Sequence, residues 1–141
     1  MSVGVLVVTH NRLGEELVAT VEDIMAGQPL PCASLAVRTD DDLGSLVERG
    51  HQQIACLDDG EGVLILTDAF GSTPSNVAVR LGSDAGTEVV SGVNLPMLLR
   101  IMNYPELDLA GLSLRAYTGG RDGVIRIDPP ASQRADSAGH R

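Results

Sequence analysis

The sequence predicts a doubly wound α/β domain: a mainly parallel sheet of four strands with helices on both faces, plus a short C-terminal edge strand. Strand-like and helix-like runs alternate four times along the chain, the order that builds a parallel sheet through helical crossovers. The first and third strand-like runs are continuously apolar rather than alternating, as strands buried on both faces must be. The chain has 141 residues, 43% of them hydrophobic, which suffices for one domain with its own core.

Val3 to Thr9 is an unbroken apolar run rich in β-branched residues, and it ends on His10. It reads as the first strand. Leu13, Leu17, Val21, Ile24 and Met25 then recur at helical spacing up to Gly27, where Gly27-Gln28-Pro29 breaks the pattern. Leu35-Ala36-Val37 is a short second strand. Thr39 followed by Asp40, Asp41 and Asp42 signals a helix start with acid in its first turn, and Leu43 to Leu57 continues that helix. After a turn at 58–62, Val63 to Thr67 forms the third strand and ends at Asp68. Thr73-Pro74 opens the next helix, with Thr73 as N-cap and proline at its first position.

Thr87 to Val90 is the fourth strand, and Asn94 caps a helix from Leu95 to about Tyr104. Another helix runs from about Leu109 to Thr118, Gly119 to Gly123 is a loop, and Val124 to Ile127 is the final strand, set at an edge or paired across a subunit boundary. One domain therefore covers 1–127, and 128–141, with two prolines and no apolar pattern, is a disordered tail.

Composition narrows the function classes. The net charge of −9 argues against nucleic acid, whose phosphates call for clustered cations, and against anionic membrane surfaces. No apolar stretch approaches the ~20 residues of a membrane-spanning helix, and the start lacks the basic region of a signal peptide. Cys32 and Cys56 show neither metal nor redox spacing and are expected to be reduced, in a cytoplasmic protein. Aromatic residues are only Phe70, Tyr104 and Tyr117, so the core is aliphatic.

Two strand ends could carry chemistry. Ligands bind at the carboxyl ends of strands in open α/β sheets, and the first and third strands commonly flank the switch point. His10 and Asp68 lie at those ends. A carboxylate that accepts from Nδ1–H fixes the imidazole tautomer and leaves Nε2 as a nucleophile. Taken singly, each has a plain structural reading, a core histidine and a strand-end turn residue; the pairing favours function. Gly71, Ser72 and Thr73 lead into a helix start, where free N–H groups and the helix dipole favour an anion such as a phosphoryl group. Phe70 in that loop is expected to be an exposed partner contact, together with Arg12. His10 and Asp68 are too few ligands for a metal, no phosphate-binding P-loop is present, and no cofactor is implied. His51 and His140 are assigned no role.

Four segments resemble one family. They are Gly4 to His10; Gly62 to Asp68 running into Gly71-Ser72-Thr73-Pro74-Ser75-Asn76-Val77-Ala78; Ser91-Gly92-Val93-Asn94-Leu95-Pro96-Met97-Leu98; and Gly120 to Val124. They are similar to the IIA component of the mannose (sorbose/fructose) class of the bacterial sugar phosphotransferase system. The resemblance spans 1 to about 127, and the Gly-Val-Asn-Leu-Pro-Met-Leu stretch is its most specific part. It implies a phosphotransferase in which His10 takes a phosphoryl group from the phosphocarrier HPr and passes it to a IIB component. It further implies that Asp68 hydrogen-bonds the imidazole, that the Thr73 region contacts phosphoryl oxygens, and that the domain is a homodimer exchanging its terminal strand. No IIB or membrane component is present in these residues, so a regulatory role stands beside transport. Three alternatives remain at this level: the phosphocarrier subunit of dihydroxyacetone kinase, a receiver-like switch phosphorylated on Asp68, and a histidine phosphatase. The receiver needs an acidic pair at the end of the first strand, where Thr9-His10 stands; the phosphatase needs an arginine cluster, for which Arg12 alone is thin support.

Overall fold

Nine elements follow one another in the computed structural model, which describes residues 1–129. They are β1 (Gly4–His10), α1 (Leu13–Met25), β2 (Cys32–Val37), α2 (Leu43–Leu57), β3 (Val63–Thr67), α3 (Thr73–Leu81), β4 (Thr87–Ser91), α4 (Leu95–Met102) and α5 (Leu109–Asp122). The sheet is parallel throughout, in the order β2-β1-β3-β4. β1 pairs with β3 through Val5 opposite Leu64 and Val8 opposite Thr67. The winding runs outward from β1 to β2 on one side and from β3 to β4 on the other. The reversal falls between β1 and β3, and their carboxyl ends form the switch point.

Alternate residues of the central strands feed two cores. Val5, Val7, Leu64 and Leu66 pack with Val21 of α1, Leu98 and Ile101 of α4, and Leu112 and Ala116 of α5. Leu6, Val8, Val63 and Ile65 pack on the other face with Leu46 of α2 and Val77, Ala78 and Leu81 of α3. Both faces of β1 and β3 are thus covered, which is why their sequences are continuously apolar up to Thr9 and Thr67.

The structure bears out the fold class and moves several boundaries. β2 begins at Cys32, three residues earlier than expected. The cap of α2 is Asp42, whose carboxylate accepts from the Ser45 amide, and not Thr39. The cap of α3 is Ser72, one residue before Thr73. The expected loop at Gly119–Gly123 is instead the last turn of α5, closed by the Gly123 amide donating to the Gly119 carbonyl. Two adjacent glycines suggest a break in isolation, yet here they admit a neighbour. A Cβ on Gly119 would stand 2.5 Å from Cβ of Arg100, and one on Gly120 2.7 Å from Cε of Met97. The absent side chains let α5 lie directly on α4.

The C-terminal edge strand does not form within the single chain. Val124 to Ile127 is irregular and pairs with no strand among the described residues, so the sheet there has four strands. Val124, Ile125 and Ile127 are 79%, 73% and 91% exposed. Their β-branched pattern suits a strand, but a ladder needs a partner edge, and the path out of α5 brings none. The expected tail, apart from Asp128 and Pro129, lies outside the described residues.

Candidate functional site

β1 delivers His10 to the surface at the switch point while every residue from Gly4 to Thr9 stays buried. The exit is fixed locally. The Thr9 hydroxyl accepts from the Gly14 amide at 2.7 Å, tying the strand end to the first turn of α1. The next residue, Asn11, turns the chain out of the sheet at φ +49°, and its amide donates to the Val37 carbonyl at 2.9 Å. Asparagine is among the few residues other than glycine that adopt this left-handed conformation readily.

Asp68 follows β3 directly and meets His10 from the neighbouring strand. One carboxylate oxygen, Oδ2, lies 2.7 Å from Nδ1 of the His10 ring and also accepts the His10 amide at 2.9 Å. The other, Oδ1, accepts the Ala69 amide at 2.9 Å. The Asp68 side chain is 11% exposed and that of His10 is 51% exposed. Burial is the largest single influence on the Asp68 carboxyl and pushes it up. The hydrogen bonds from the His10 amide, the ring and the Ala69 amide, with the attraction of the imidazole, outweigh it and hold the group below its ordinary value. Asp68 is therefore ionised at neutral pH and can only accept, so Nδ1 carries the proton and Nε2 presents a lone pair.

A cleft of about 260 Å³ opens beside the ring, lined by His10, Asn11, Arg38, Thr39, Asp41 and Thr73 among others. A larger hollow of about 360 Å³ between β2 and α2, around Leu35, Gln53 and Cys56, holds neither His10 nor Asp68. The smaller cleft is the one that matters for the histidine.

The other expected site residues separate. Thr73 lines the cleft from the first position of α3. Ser72 uses its hydroxyl within its own loop, accepting from the Ser75 amide at 3.4 Å and donating to the Ala69 carbonyl at 2.6 Å. Gly71 adopts φ +85° with open space around it, so the turn requires glycine for backbone conformation and not for close approach. Phe70 is 85% exposed in the loop following Asp68. Arg12 lies 3.6 Å from Glu15 and 3.5 Å from Glu16 on α1 and does not line the cleft. His51 lies 3.5 Å from Asp84, away from the site. No group of three or more potential metal ligands occurs among the described residues. Asn11, Arg38 and Thr39 join the site without having been expected there. Arg38 is within reach of the same rule that places His10, because β2 adjoins β1 and Arg38 directly follows Val37, the register partner of His10.

Fold and site together define a doubly wound α/β protein whose switch point holds a half-exposed histidine with Nδ1 held by a carboxylate. The family model described as the PTS system fructose IIA component, EIIA-man, matches residues 4–111. The chain belongs to this family and is a IIA component of the mannose type of the sugar phosphotransferase system.

It is 30% identical over 143 aligned positions to the mannose-specific EIIAB component of Escherichia coli strain K12, covering 98% of this chain and 43% of that protein. It is 36% identical over 63 positions to the fructose-specific EIIA component of Bacillus subtilis strain 168, covering 44% of this chain and 43% of that one. The chain thus aligns with less than half the length of these relatives. Among solved structures it matches the mannose/sorbose specific IIA subunit from Enterococcus faecalis, with a TM-score of 0.80, 25% identity and coverage of 92% of this chain and 98% of that one. Component EIIA from Streptococcus agalactiae shares the fold, with a TM-score of 0.76 at 20% identity over 88% of this chain and 96% of that one.

Proposed function

We propose that the protein is a phosphohistidine carrier in which Nε2 of His10 takes a phosphoryl group from phospho-HPr and yields it to a IIB component or holds it as a regulatory signal. The 2.7 Å contact between Nδ1 and the Asp68 carboxylate carries this reading. The Nε2 lone pair attacks phosphorus while the donor's bond to phosphorus breaks and its electron pair leaves with the donor. The ring gains positive character as the new N–P bond forms, and Asp68, already ionised and aligned, offsets it. The second transfer reverses the roles. Phosphoryl transfer of this kind relies on positioning and charge more than on covalent help.

Thr73 and the first amides of α3 receive the phosphoryl oxygens, while Phe70 and Arg12 form contacts with protein partners. The unit that does this is the domain 1–127, working in the cytoplasm as a homodimer. The dimer exchanges Val124–Ile127 as a strand, which would give those exposed residues the partner edge they lack. Among the described residues no helix is long and apolar enough to cross a membrane. An aspartyl switch is disfavoured because both oxygens of Asp68 already accept hydrogen bonds.

The test is incubation with radiolabelled phosphoenolpyruvate, enzyme I and HPr. Label that is lost in acid and stable in base is expected on the wild type and absent from His10→Ala. A His10→Ala protein that labels equally would overturn the proposal, and label lost in mild base would indicate an acyl phosphate on Asp68 instead.

A further inference from the structure

We infer that Arg38 is the cation that binds the phosphoryl oxygens once His10 is loaded, an inference that rests on the phosphohistidine reading above. A phosphoryl group on Nε2 brings negative charge into a chain of net charge −9. Two carboxylates are already at hand: Asp68 on the far edge of the ring and Asp41 in the cleft wall. A cation is needed to offset them. Arg12 lies beside Glu15 and Glu16 on α1 and does not line the cleft. Arg38 lines the cleft, is exposed, and makes no salt bridge among the described residues.

Its backbone is held in place. The Arg38 amide donates to Oδ2 of Asp41 at 2.8 Å, and the Asp41 amide donates back to the Arg38 carbonyl at 3.1 Å. This reciprocal pair engages one oxygen of the Asp41 carboxylate with a backbone donor, and the Arg38 guanidinium makes no salt bridge among the described residues. Val37 is the strand partner of His10, and adjacent strands lie ~4.8 Å apart, so the residue after Val37 leaves the sheet beside the histidine. A guanidinium suits this task because its planar fork matches two phosphoryl oxygens, which an ammonium engages only as a point charge. The cleft then has a cationic wall from the end of β2 and a hydroxyl wall from Thr73 at the start of α3, with the nucleophile between them.

The experiment compares wild type, Arg38→Gln and Arg38→Lys, labelled with phosphoenolpyruvate, enzyme I and HPr. The readouts are the equilibrium level of label at a fixed ratio of phospho-HPr to HPr, its loss after the donor is removed, and the ³¹P resonance of the phosphohistidine. Arg38→Gln is expected to lower the equilibrium constant for loading about tenfold, in line with the loss of a charge-assisted hydrogen bond, to speed loss of label and to move the ³¹P resonance. Arg38→Lys is expected to recover part of the loss. A wild type that labels and an Arg38→Gln protein with the same equilibrium level and resonance would overturn the inference. Slower transfer with unchanged equilibrium would also overturn it, by assigning Arg38 to partner docking. A wild type that does not label would defeat the phosphocarrier reading itself, a different failure.

Discussion

At the end of β1 and at the end of α5 the same chain leaves its core in two different ways. Around His10 the polar groups are satisfied from within: Asp68 collects the His10 amide, the His10 ring and the Ala69 amide, and Thr9 collects the Gly14 amide. The imidazole stands half exposed on a fixed support. After α5 the exposed groups are apolar, and nothing among the described residues covers Val124, Ile125 or Ile127. The contrast separates two requirements of the molecule. The contacts of the proposed site lie within one chain, whereas the proposed strand exchange would complete the C-terminal segment only against a second copy. Changes at one end should therefore leave the other intact.

The largest break is expected at Asp68. Asp68→Asn keeps the shape but removes the charge that fixes the Nδ1–H tautomer. In a serine-protease triad, the same change at the aspartate that orients the histidine costs about 10⁴-fold. Labelling of His10 is expected to slow by ~10³-fold or more, measured as the initial rate from phospho-HPr. The same variant should leave oligomeric state unchanged by sedimentation. A loss of assembly with Asp68→Asn would dissolve the separation between the two regions.

The reverse test places charge on the bare segment. Ile125→Asp with Ile127→Asp is expected to convert a dimeric wild type to monomer, because a buried charge without a partner is costly, and to leave His10 labelling unchanged. Sedimentation equilibrium and the phosphorylation assay read the two outcomes. A monomeric wild type would remove strand exchange as the explanation of those exposed residues.

A smaller effect is expected where α5 crosses α4. Gly119→Ala gains up to ~1 kcal/mol of helix propensity. It also sets a methyl against Cβ and Cγ of Arg100, and Cβ is fixed by the backbone and cannot swing away. Overpacking of this kind costs ~1–3 kcal/mol, so a net loss of stability is expected in urea unfolding. Gly120→Ala faces chiefly the flexible Cε of Met97 and should cost less. Equal losses would show that the contact with Arg100 is not what reserves these positions for glycine.

The same regions differ in how far the sequence reveals them. The central strands and the pairing of His10 with Asp68 are legible because they follow from apolar continuity and from topology. Both place chemistry at adjacent strand ends before any side chain is positioned. The end of α5 is not legible: Gly119-Gly120 resembles a break until Arg100 and Met97 occupy the space beside it. Val124 to Ile127 has the composition of a strand, but composition does not supply a partner edge. Cap positions shift because several capping residues stand close together, Thr39 near Asp42 and Ser72 beside Thr73, and the backbone path selects one. Arg38 is hidden for a different reason. Strands one and three mark the switch point, but β2 adjoins β1 on its other side and brings its own end to the same cleft.

The smallest effect concerns Asp68 and pH, and its sign is fixed by the direction of the shift. The carboxyl is held below its ordinary value in the folded protein. Its contribution to stability is therefore fully present above the unfolded value, ~3.9 for aspartate, and is lost as pH falls through the lower folded value. Urea unfolding of wild type and Asp68→Asn from pH 5 downward should show a wild-type advantage that is steady at first and shrinks below pH ~4. The shift is what remains after opposing influences: burial drives the carboxyl up, and the hydrogen bonds from His10 and Ala69, with the attraction of the imidazole, outweigh it. An advantage that grew on acidification would reverse the sign and mean that burial wins. Asp68 would then be neutral more often than a fixed imidazole tautomer allows, and the self-sufficiency of the histidine site, as against the dependent C-terminal segment, would fail at its central contact.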